Sequence, residues 1–562
     1  MFQITDTPRL SRRSFIQTTS SLAAAALWAH RSTGATLTRP KFWDYPFKLG
    51  VGSGDPTPDG VVLWTRLAPR PLEGGGLPES PIDVGWQVAE DEAMTRIVRS
   101  GTQTAVPQWG HSVHVEVDGL KPDRWYFYQF KAGSEVSQVG RTRTAPPADA
   151  LPEKLRFSFV SCQHWEAGFY TGYEHMLNEN LDLVIHLGDY IYEGPAKESR
   201  VRSHVGAKLD SLISYRHRHA QYKTDPALQM MHAAAPWLVT WDDHEFENNC
   251  AGAISENEGT SEADFLARRA RAYQAYYEHM PLRRSALPSG PDMLLYRTNS
   301  FGRLAEFFVL DTRQYRDDQP CGDGTKVPCE AVFDPNGTIL GKQQRDWLYG
   351  GLKASGAQWN VLAQQVLMAR LGRTLETGEK AYSMDKWMGY ESERRNVLRY
   401  LEEQQISNPV VITGDIHSNW AIDLQLDADD PDSAIVAPEF VCSGISSTGD
   451  GKAGDYSELY SEYPCVKYHD RYSGYVTCEV TPTEWKTDFR TMEYVSRPGA
   501  PLLTPAKFVV EAGGKRLESA GRSRSAIEEE GAAEFFWPLT TPTHSNCSIA
   551  WTLGQTVFRA SL

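Results

Sequence analysis

Short apolar runs that stop abruptly at residues able to hold a metal ion recur along this chain. Residues 157–160 run into Ser161 and Cys162, and residues 183–187 into Gly188, Asp189, Tyr190 and Tyr192. Residues 237–241 run into Asp242, Asp243 and His244, and residues 410–413 into Gly414, Asp415 and His417. Continuous apolar runs of this length read as strands buried on both faces of an α/β sheet. Open sheets bind ligands beyond the carboxyl ends of their strands, so the four polar termini are expected to converge on one rim. Carboxylates, imidazoles, a thiol and a phenol meeting there predict a hydrolytic metal centre.

The periodicity elsewhere divides the chain. Over residues 46–147, Val84, Trp86 and Val88 alternate, as do Val113, Val115 and Val117, with turn residues between the runs, which predicts an all-β region. Leu120, Pro122 and Tyr126 match the corner that ties down a loop in fibronectin-like sandwiches, and Trp125 to Tyr128 read as core filling. After Ala145-Pro146-Pro147-Ala148, apolar runs alternate with helical stretches, the signature of βα units. Ser261-Glu262-Ala263-Asp264 is a capping-box pattern, and Leu266, Tyr273, Tyr277 and Met280 follow at helical spacing until Pro281. Further strands are expected at 307–310, ending in Asp311-Thr312-Arg313, and at 360–363, ending in Gln364-Gln365. A helix is expected over 391–405. The 475–480 and 485–494 runs, joined by Thr481-Pro482-Thr483-Glu484, predict a hairpin. The expected domains are a leader at 1–35, a sandwich with a structural or orienting role at 46–147, a catalytic domain at 152–500 and an extension at 501–562. That extension either packs on the core or covers a cleft entrance.

Length and charge narrow the classes. The 562 residues exceed one ordinary core. The formal charge of −15 argues against a general nucleic-acid or anionic-membrane binder. Ser11-Arg12-Arg13-Ser14-Phe15-Ile16, a weakly apolar stretch at 22–28 and small residues at Gly34-Ala35 have the layout of a twin-arginine signal, and that stretch falls short of the roughly 20 residues needed to span a bilayer. A chance Arg pair in a disordered terminus is the alternative. No later segment is apolar for long enough to be an integral span. The twin-arginine export machinery is therefore an expected partner, and a periplasmic or extracellular location follows. Export permits disulfides, and Cys321 with Cys329 brackets a polar loop that a bridge could staple. If Cys162 binds metal, seven of the eight cysteines remain, so at least one stays unpaired within the chain.

Asp189 can bridge two cations, and the Tyr192 phenolate is a hard, charged ligand suited to Fe3+. Cys162 adds a thiolate and His417 an imidazole. A second locus of Asp189, Asp243, Asp415 and an amide from Asn248 or Asn249 suits Ca2+ or a similar hard ion. His244 is the candidate general acid or phosphate contact, and Arg216 a candidate anion clamp. Taken singly, each has a plainer reading: Asp243 or Asp415 as a cap, Asn248 and Asn249 as loop residues, Cys162 and Tyr192 as packed side chains. Arg216 with His217, Arg218 and His219 also reads as a solvated helix face. No serine or threonine sits in a nucleophile elbow, which favours a metal-bound water, hydroxide or oxide as nucleophile.

The strings SCQ at 161–163, HLGDYIYE at 186–193, WDDHEFENN at 241–249 and GDIHSNW at 414–420 resemble the alkaline phosphatase D (PhoD-like) family of metallophosphoesterases. LGVGSGDPTPDGVVLWTRL at 49–67, GKQQRDWL at 341–348 and CSGISS at 442–447 extend the match. The resemblance implies an α/β (α+β) metallophosphoesterase sandwich behind an immunoglobulin/fibronectin-like domain. It implies Fe3+ with Ca2+ neighbours, and phosphate mono- and diesters as small-molecule substrates. Against the wider group, Tyr192 matches the iron-binding tyrosine, Asp243 stands at an asparagine ligand position and Asp415 replaces a histidine; a further histidine has no counterpart near Gln364-Gln365. A phospholipase D-type phosphodiesterase on the same scaffold and a non-catalytic, metal-stabilised binding protein are the alternative functions.

Overall fold

The computed structural model describes residues 41–430 and 432–521. The expected leader and the part of the 501–562 extension beyond residue 521 lie outside the described residues. The first eight strands divide between two sheets. Strands β1 (Val51–Thr57), β2 (Gly60–Arg66) and β5 (Ser112–Val117) form one end of a ten-stranded sheet. Strands β3 (Ile82–Ala89), β4 (Ile97–Ala105), β6 (Trp125–Ala132), β7 (Glu135–Val136) and β8 (Gly140–Arg143) make a separate five-stranded sheet. Their apolar faces meet, with Val61, Leu63, Val113 and Val115 against Val84, Val88, Tyr128 and Phe130. The Tyr126 hydroxyl accepts from the Lys121 amide at 2.9 Å, tying down the turn before β6.

The centre of the large sheet is parallel: β9 (Leu155–Val160), β10 (Leu183–His186) and β11 (Pro236–Val239), with β1 continuing the parallel run beyond β11. On the other side of β9 the sheet turns antiparallel through β22 (Gly474–Val480), β23 (Glu484–Met492), β24 (Leu502–Glu511) and β25 (Glu518–Gly521). The expected hairpin is β22–β23, in a register that pairs Thr477 with Asp488. A second, seven-stranded sheet runs β12 (Arg297–Phe301), β13 (Ala305–Val309), β15 (Trp359–Ala363), β18 (Pro409–Thr413), β20 (Ile435–Val441), β19 (Asn419–Gln425), β21 (Val466–Asp470), with β13, β15, β18 and β20 parallel. The two sheets pack face to face: Phe157, Ile185 and Leu238 meet Phe307, Val361 and Ile412. Strands buried on both faces need no alternation, which is why these runs are continuously apolar.

Helices cover the outer faces. Over the first sheet lie α1 (Thr171–Met176), α2 (Leu212–Tyr222), α3 (Pro226–Ala234) and α4 (Glu262–His279), which bring Tyr173, Tyr215, Leu228 and Tyr273 against Val184 and Trp237. Over the second lie α5 (Gly341–Ala354) and α6 (Glu391–Glu403), with Leu348, Leu352, Val397 and Leu398 against Phe308 and Val411. The Ser261 side chain caps α4 by accepting from the Asp264 amide at 3.1 Å. A small sheet, β14 (Thr325–Lys326), β17 (Lys380–Ser383) and β16 (Arg373–Thr374), lies beyond the second sheet's strand ends, and a Cys321–Cys329 disulfide brackets β14. Cys162, Cys250, Cys442, Cys465 and Cys478 are free thiols. Among the described residues no helix is long and apolar enough to cross a membrane.

Glu179, in the loop after α1, pins the helix layer to the sheet. Its carboxylate accepts from Arg156 on β9 at 2.6 Å, from Arg490 on β23 at 2.9 Å and from Tyr475 on β22 at 3.1 Å. Burial raises its pKa, but Arg490 and Arg156 overcome that and hold it below the ordinary 4.5. A depressed pKa contributes stability above about pH 4.5 that is lost as the pH falls through the folded value. Glu179→Gln is expected to lower stability at pH 7 by about 1–2 kcal/mol, the worth of charge-assisted hydrogen bonds from two half-buried guanidinium groups, one of which keeps Glu479 as a partner. Denaturant titrations should show the gap to wild type narrowing below pH 4.5; a gap independent of pH would refute the assignment.

Candidate metal centre

Three strand ends of the first sheet and one of the second deliver the expected ligands to a common rim. The Cys162 thiol, an Asp189 carboxylate oxygen and a His417 ring nitrogen all lie within 4.8 Å of one another. The Tyr192 hydroxyl completes the group: it donates to Asp189 Oδ2 at 2.8 Å and sits 3.1 Å from His417 Nε2. Cys162, Asp189 and Tyr192 are buried. The backbone is held in an unusual state to achieve this. Cys162, Asp189 and His417 adopt φ of 52°, 57° and 54°, as do Asp415 and Asn249 with 61° and 49°. Left-handed backbone is unfavourable for residues with a Cβ, and it clusters where a structure fixes side chains for a task. Crossing loops impose the turns: a Cβ on Gly188 would lie 2.5 Å from the Asp242 amide nitrogen, and one on Gly444 would lie 2.6 Å from Cys162 Cβ.

A second, acidic group adjoins the first. Asp189, Asp243 and His244 each present a ligating atom within 4.8 Å of the others. The His244 Nδ1 meets Glu193 Oε2 at 2.7 Å, so Nε2 is the atom left for a substrate oxygen. Its ring lies 4.3 Å from that of Tyr192, whose opposite neighbour is the His164 ring at 4.2 Å. Arg313, carried by the turn after β13, stands among the remaining carboxylates. It bonds Asp242, donates to Asp385 at 2.8 Å, and places Nη2 3.4 Å from Asp243 and 3.6 Å from Asp415. That Nη2 is buried without a hydrogen-bond partner. Lys386 bonds the other Asp415 oxygen.

The electrostatics state what the rim lacks. Burial, then the Asp189 charge, pushes the Cys162 thiol and the Tyr192 phenol well above their ordinary pKa values. Burial together with the neighbouring Asp243 and Asp242 carboxylates outweighs His244 and raises Asp189. Burial alone would raise Asp243, but Arg313 and His244 hold it low. For His244, burial acts downward, yet Glu193, Asp189 and Asp243 prevail and keep the imidazole protonated well above its usual range. Burial lowers His417 to about 4, the neutral form a metal requires. Thiol, carboxyl and phenol crowded in a dry site can all ionise only beside added positive charge. The donors fit that need: sulfur, nitrogen and phenol oxygen on one side of Asp189 and carboxylate oxygens on the other are ligand types for metal cations.

The family model described as PhoD-like phosphatase matches residues 157–489, and the model for the N-terminal domain of PhoD-like phosphatases matches residues 32–146. The curated alkaline phosphatase D of Bacillus subtilis (strain 168) is 50% identical over 511 residues, covering 89% of this chain and 87% of the relative. A solved structure of PhoD superposes with a TM-score of 0.83 at 50% identity, covering 86% of this chain and 94% of the other. The chain belongs to the PhoD-like phosphatase family.

Within this PhoD-like phosphatase, two expectations need correction. Arg216 does not reach the rim: Glu278 takes its Nε and Nη2 at 2.6 Å each, and Nη2 also bonds the Gln108 carbonyl at 2.9 Å. Its neighbours are no solvated face either, since Arg218 and His219 are buried and Arg218 braces the Tyr192 carbonyl. The side-chain nitrogens of Asn248 and Asn249 turn to neighbouring acids, which leaves the amide oxygens, the atoms that would ligate, unassigned. Asn248 bonds Glu256 at 2.7 Å and Asn249 bonds Asp323 at 3.2 Å, while only the Asn249 backbone amide reaches Asp243, at 2.8 Å. Gln364 and Gln365 are structural: they bond Thr413 Oγ1 at 2.7 Å and the Leu310 carbonyl at 2.8 Å.

Sequence reasoning passed over Glu245, Arg313, His164 and Ser447. The Ser447 hydroxyl sits 2.8 Å from the Tyr192 hydroxyl and donates to the Cys162 carbonyl at 2.6 Å. Glu245 accepts from the Asp189 and Asp242 amides at 3.1 and 2.9 Å and also from the Tyr190 amide, stapling two ligand-bearing loops. Its position one residue beyond His244 in a run of acids was the available signal. Glu245→Ala is expected to reduce phosphatase turnover by about 10–100-fold, the usual loss when a ligand's supporting partner is removed. Unchanged turnover in steady-state assays would show that the loops hold themselves. Arg313→Met should lower the melting temperature of chelator-treated protein, with added Ca2+ restoring part of the loss, because the four aspartates then lack their buried counter-charge.

Proposed function

We propose that this phosphatase-family enzyme hydrolyses phosphate mono- and diesters at the rim where Cys162, Asp189, Tyr192 and His417 meet. The gathering of these four groups from separate strand ends carries the reading. They would hold Fe3+, while Asp189, Asp243 and Asp415 would hold Ca2+. When bound, the cations polarise the phosphoryl oxygens and offset the charge that builds in the transition state. Asp189 is central because it belongs to both groups. Cys162, Tyr192 and Asp189 are kept dry, and the raised His244, oriented by Glu193, can donate a proton or hydrogen bond through Nε2 to an ester oxygen. Small phosphate esters are the substrate class. The amino-terminal sandwich, with its Tyr126 corner, supports an immunoglobulin/fibronectin-like unit over 46–147 beside a catalytic region over 152–500. Export by the twin-arginine route to the periplasm or exterior is supported by the Ser11-Arg12-Arg13 segment and by the Cys321–Cys329 bridge.

Purified full-length protein is expected to release p-nitrophenol from p-nitrophenyl phosphate and from bis-p-nitrophenyl phosphate at alkaline pH. It should also show a visible absorption band from tyrosinate-to-iron charge transfer. Tyr192→Phe should abolish the band and cut turnover by at least about 100-fold, as should Asp189→Asn, in the upper range for perturbing a metal site. Protein that contains metal yet hydrolyses neither ester would overturn the reading, and a band that survives Tyr192→Phe would remove the tyrosine from the iron site.

A further inference from the structure

Behind the loop that carries Asp189 and Tyr192 lies a buried basic cluster for which the rim chemistry has no use. Lys223, the residue after α2, is buried, with Nζ 4.4 Å from the centre of the Trp64 ring and 5.2 Å from that of Tyr190. Its polar neighbour is His232 Nε2 on α3, at 3.3 Å. Among the described residues no carboxylate pairs with this lysine, and burial alone acts on its charge, pushing its pKa far down. His219 on α2, His186 on β10 and His279 on α4 complete the surroundings, and the Lys223 charge reaches all three. These histidines and His232 are themselves buried. Tyr276 faces His219, with ring centres 6.0 Å apart. The acids on flanking elements are engaged elsewhere: Glu278 holds Arg216 at 2.6 Å and acts on Arg66, while Asp225 holds Arg202 at 2.7 Å and caps α3.

Hydrogen bonding fixes the imidazoles as neutral, because each accepting ring nitrogen must be unprotonated. Arg66, which keeps its proton, donates from Nη1 to His279 Nε2 at 2.7 Å, while His279 Nδ1 donates to the Ala275 carbonyl at 2.6 Å. The Gly188 amide donates to His186 Nδ1 at 3.3 Å, and the Tyr190 hydroxyl meets His232 Nε2 at 2.8 Å. Gly188 and Tyr190 flank Asp189, so the cluster is the seat of the ligand loop. Both nitrogens of His219, with His186 Nε2 and His232 Nδ1, are buried without hydrogen-bond partners, and none of these groups supplies a negative charge. An ammonium ion here would have two aromatic faces in place of water, which is poor exchange for its hydration. Shedding the proton is the less costly course.

We propose that the folded protein holds Lys223 as an uncharged amine, so that protonation of this cluster opposes folding and the seat of the ligand loop gains stability as the pH rises. A lysine that is charged in the unfolded chain, where its pKa is about 10.4, and uncharged when folded releases a proton on folding. The unfolding constant therefore falls about tenfold for each pH unit, until near pH 10 the unfolded chain loses the proton too. Denaturant titrations of full-length, metal-replete protein are compared with those of Lys223→Met and Lys223→Gln, two uncharged side chains of similar reach. The ratio of the wild-type unfolding constant to that of either variant is expected to fall about tenfold per unit from pH 7 to pH 9. Taking the ratio cancels the titration of groups the proteins share, the metal ligands included. A ratio that is flat or rises over this range overturns the proposal, because the amine would then carry the same charge folded and unfolded. Failure of both variants to fold overturns it as well, since a neutral side chain would then be unable to stand in for the amine.

Discussion

Negative charge gathered where water cannot reach it is the constraint around which this molecule is arranged. Asp189, Asp242 and Asp243 are buried within one rim, together with the Cys162 thiol and the Tyr192 phenol. In a low-dielectric setting such groups either keep their protons or find cations. The chain supplies some of the answer itself: Arg313 stands among four aspartates, Lys386 on Asp415, and a protonated His244 between Glu193, Asp189 and Asp243. Among the described residues no lysine or arginine bonds the side chains of the thiol–phenol–imidazole corner, and there the donor types are those of a transition-metal site.

Placing these groups demands rigidity of the backbone beneath them. Each arrives at the end of a strand buried on both faces, so its position is fixed by sheet registry before any side chain is considered. Beyond the strand ends the chain turns through left-handed residues that bear side chains, and those turns are locked by close crossings and by Glu245. The unfavourable conformations persist because neighbouring loops leave no room for relaxation.

Much of this was legible in the sequence, and what was not has identifiable causes. Runs such as 183–187 and 410–413 declared their strands because double burial requires unbroken apolar residues, and Ser261 declared α4 through its cap. The convergence of Cys162, Asp189 and His417 was legible because each follows closely on such a run. Strand β1 was not, since Val51-Gly52-Ser53-Gly54 shows no alternation and its partner β11 lies far along the chain. Arg216 misled because a guanidinium in a basic helix looks available until Glu278, one helix away, is seen to hold it. Arg313 escaped notice for the opposite reason: its chemistry lies in four acids drawn from three other loops, and no local pattern announces a side chain whose partners are all distant.

The parallel pairing of β1 with β11 has a further implication. Two family models tile the chain one after the other, as though the amino-terminal piece were a movable attachment. In three dimensions that piece supplies the outer strands of the main sheet, bonding Ser53 and Gly54 to Pro236 and Trp237. Severed from it, β11 would become a bare, apolar margin open to adhesion by any other strand. Modularity in the gene and indivisibility in the folded particle therefore coexist here, and the small sandwich acts as the selvedge that keeps the catalytic fabric from fraying.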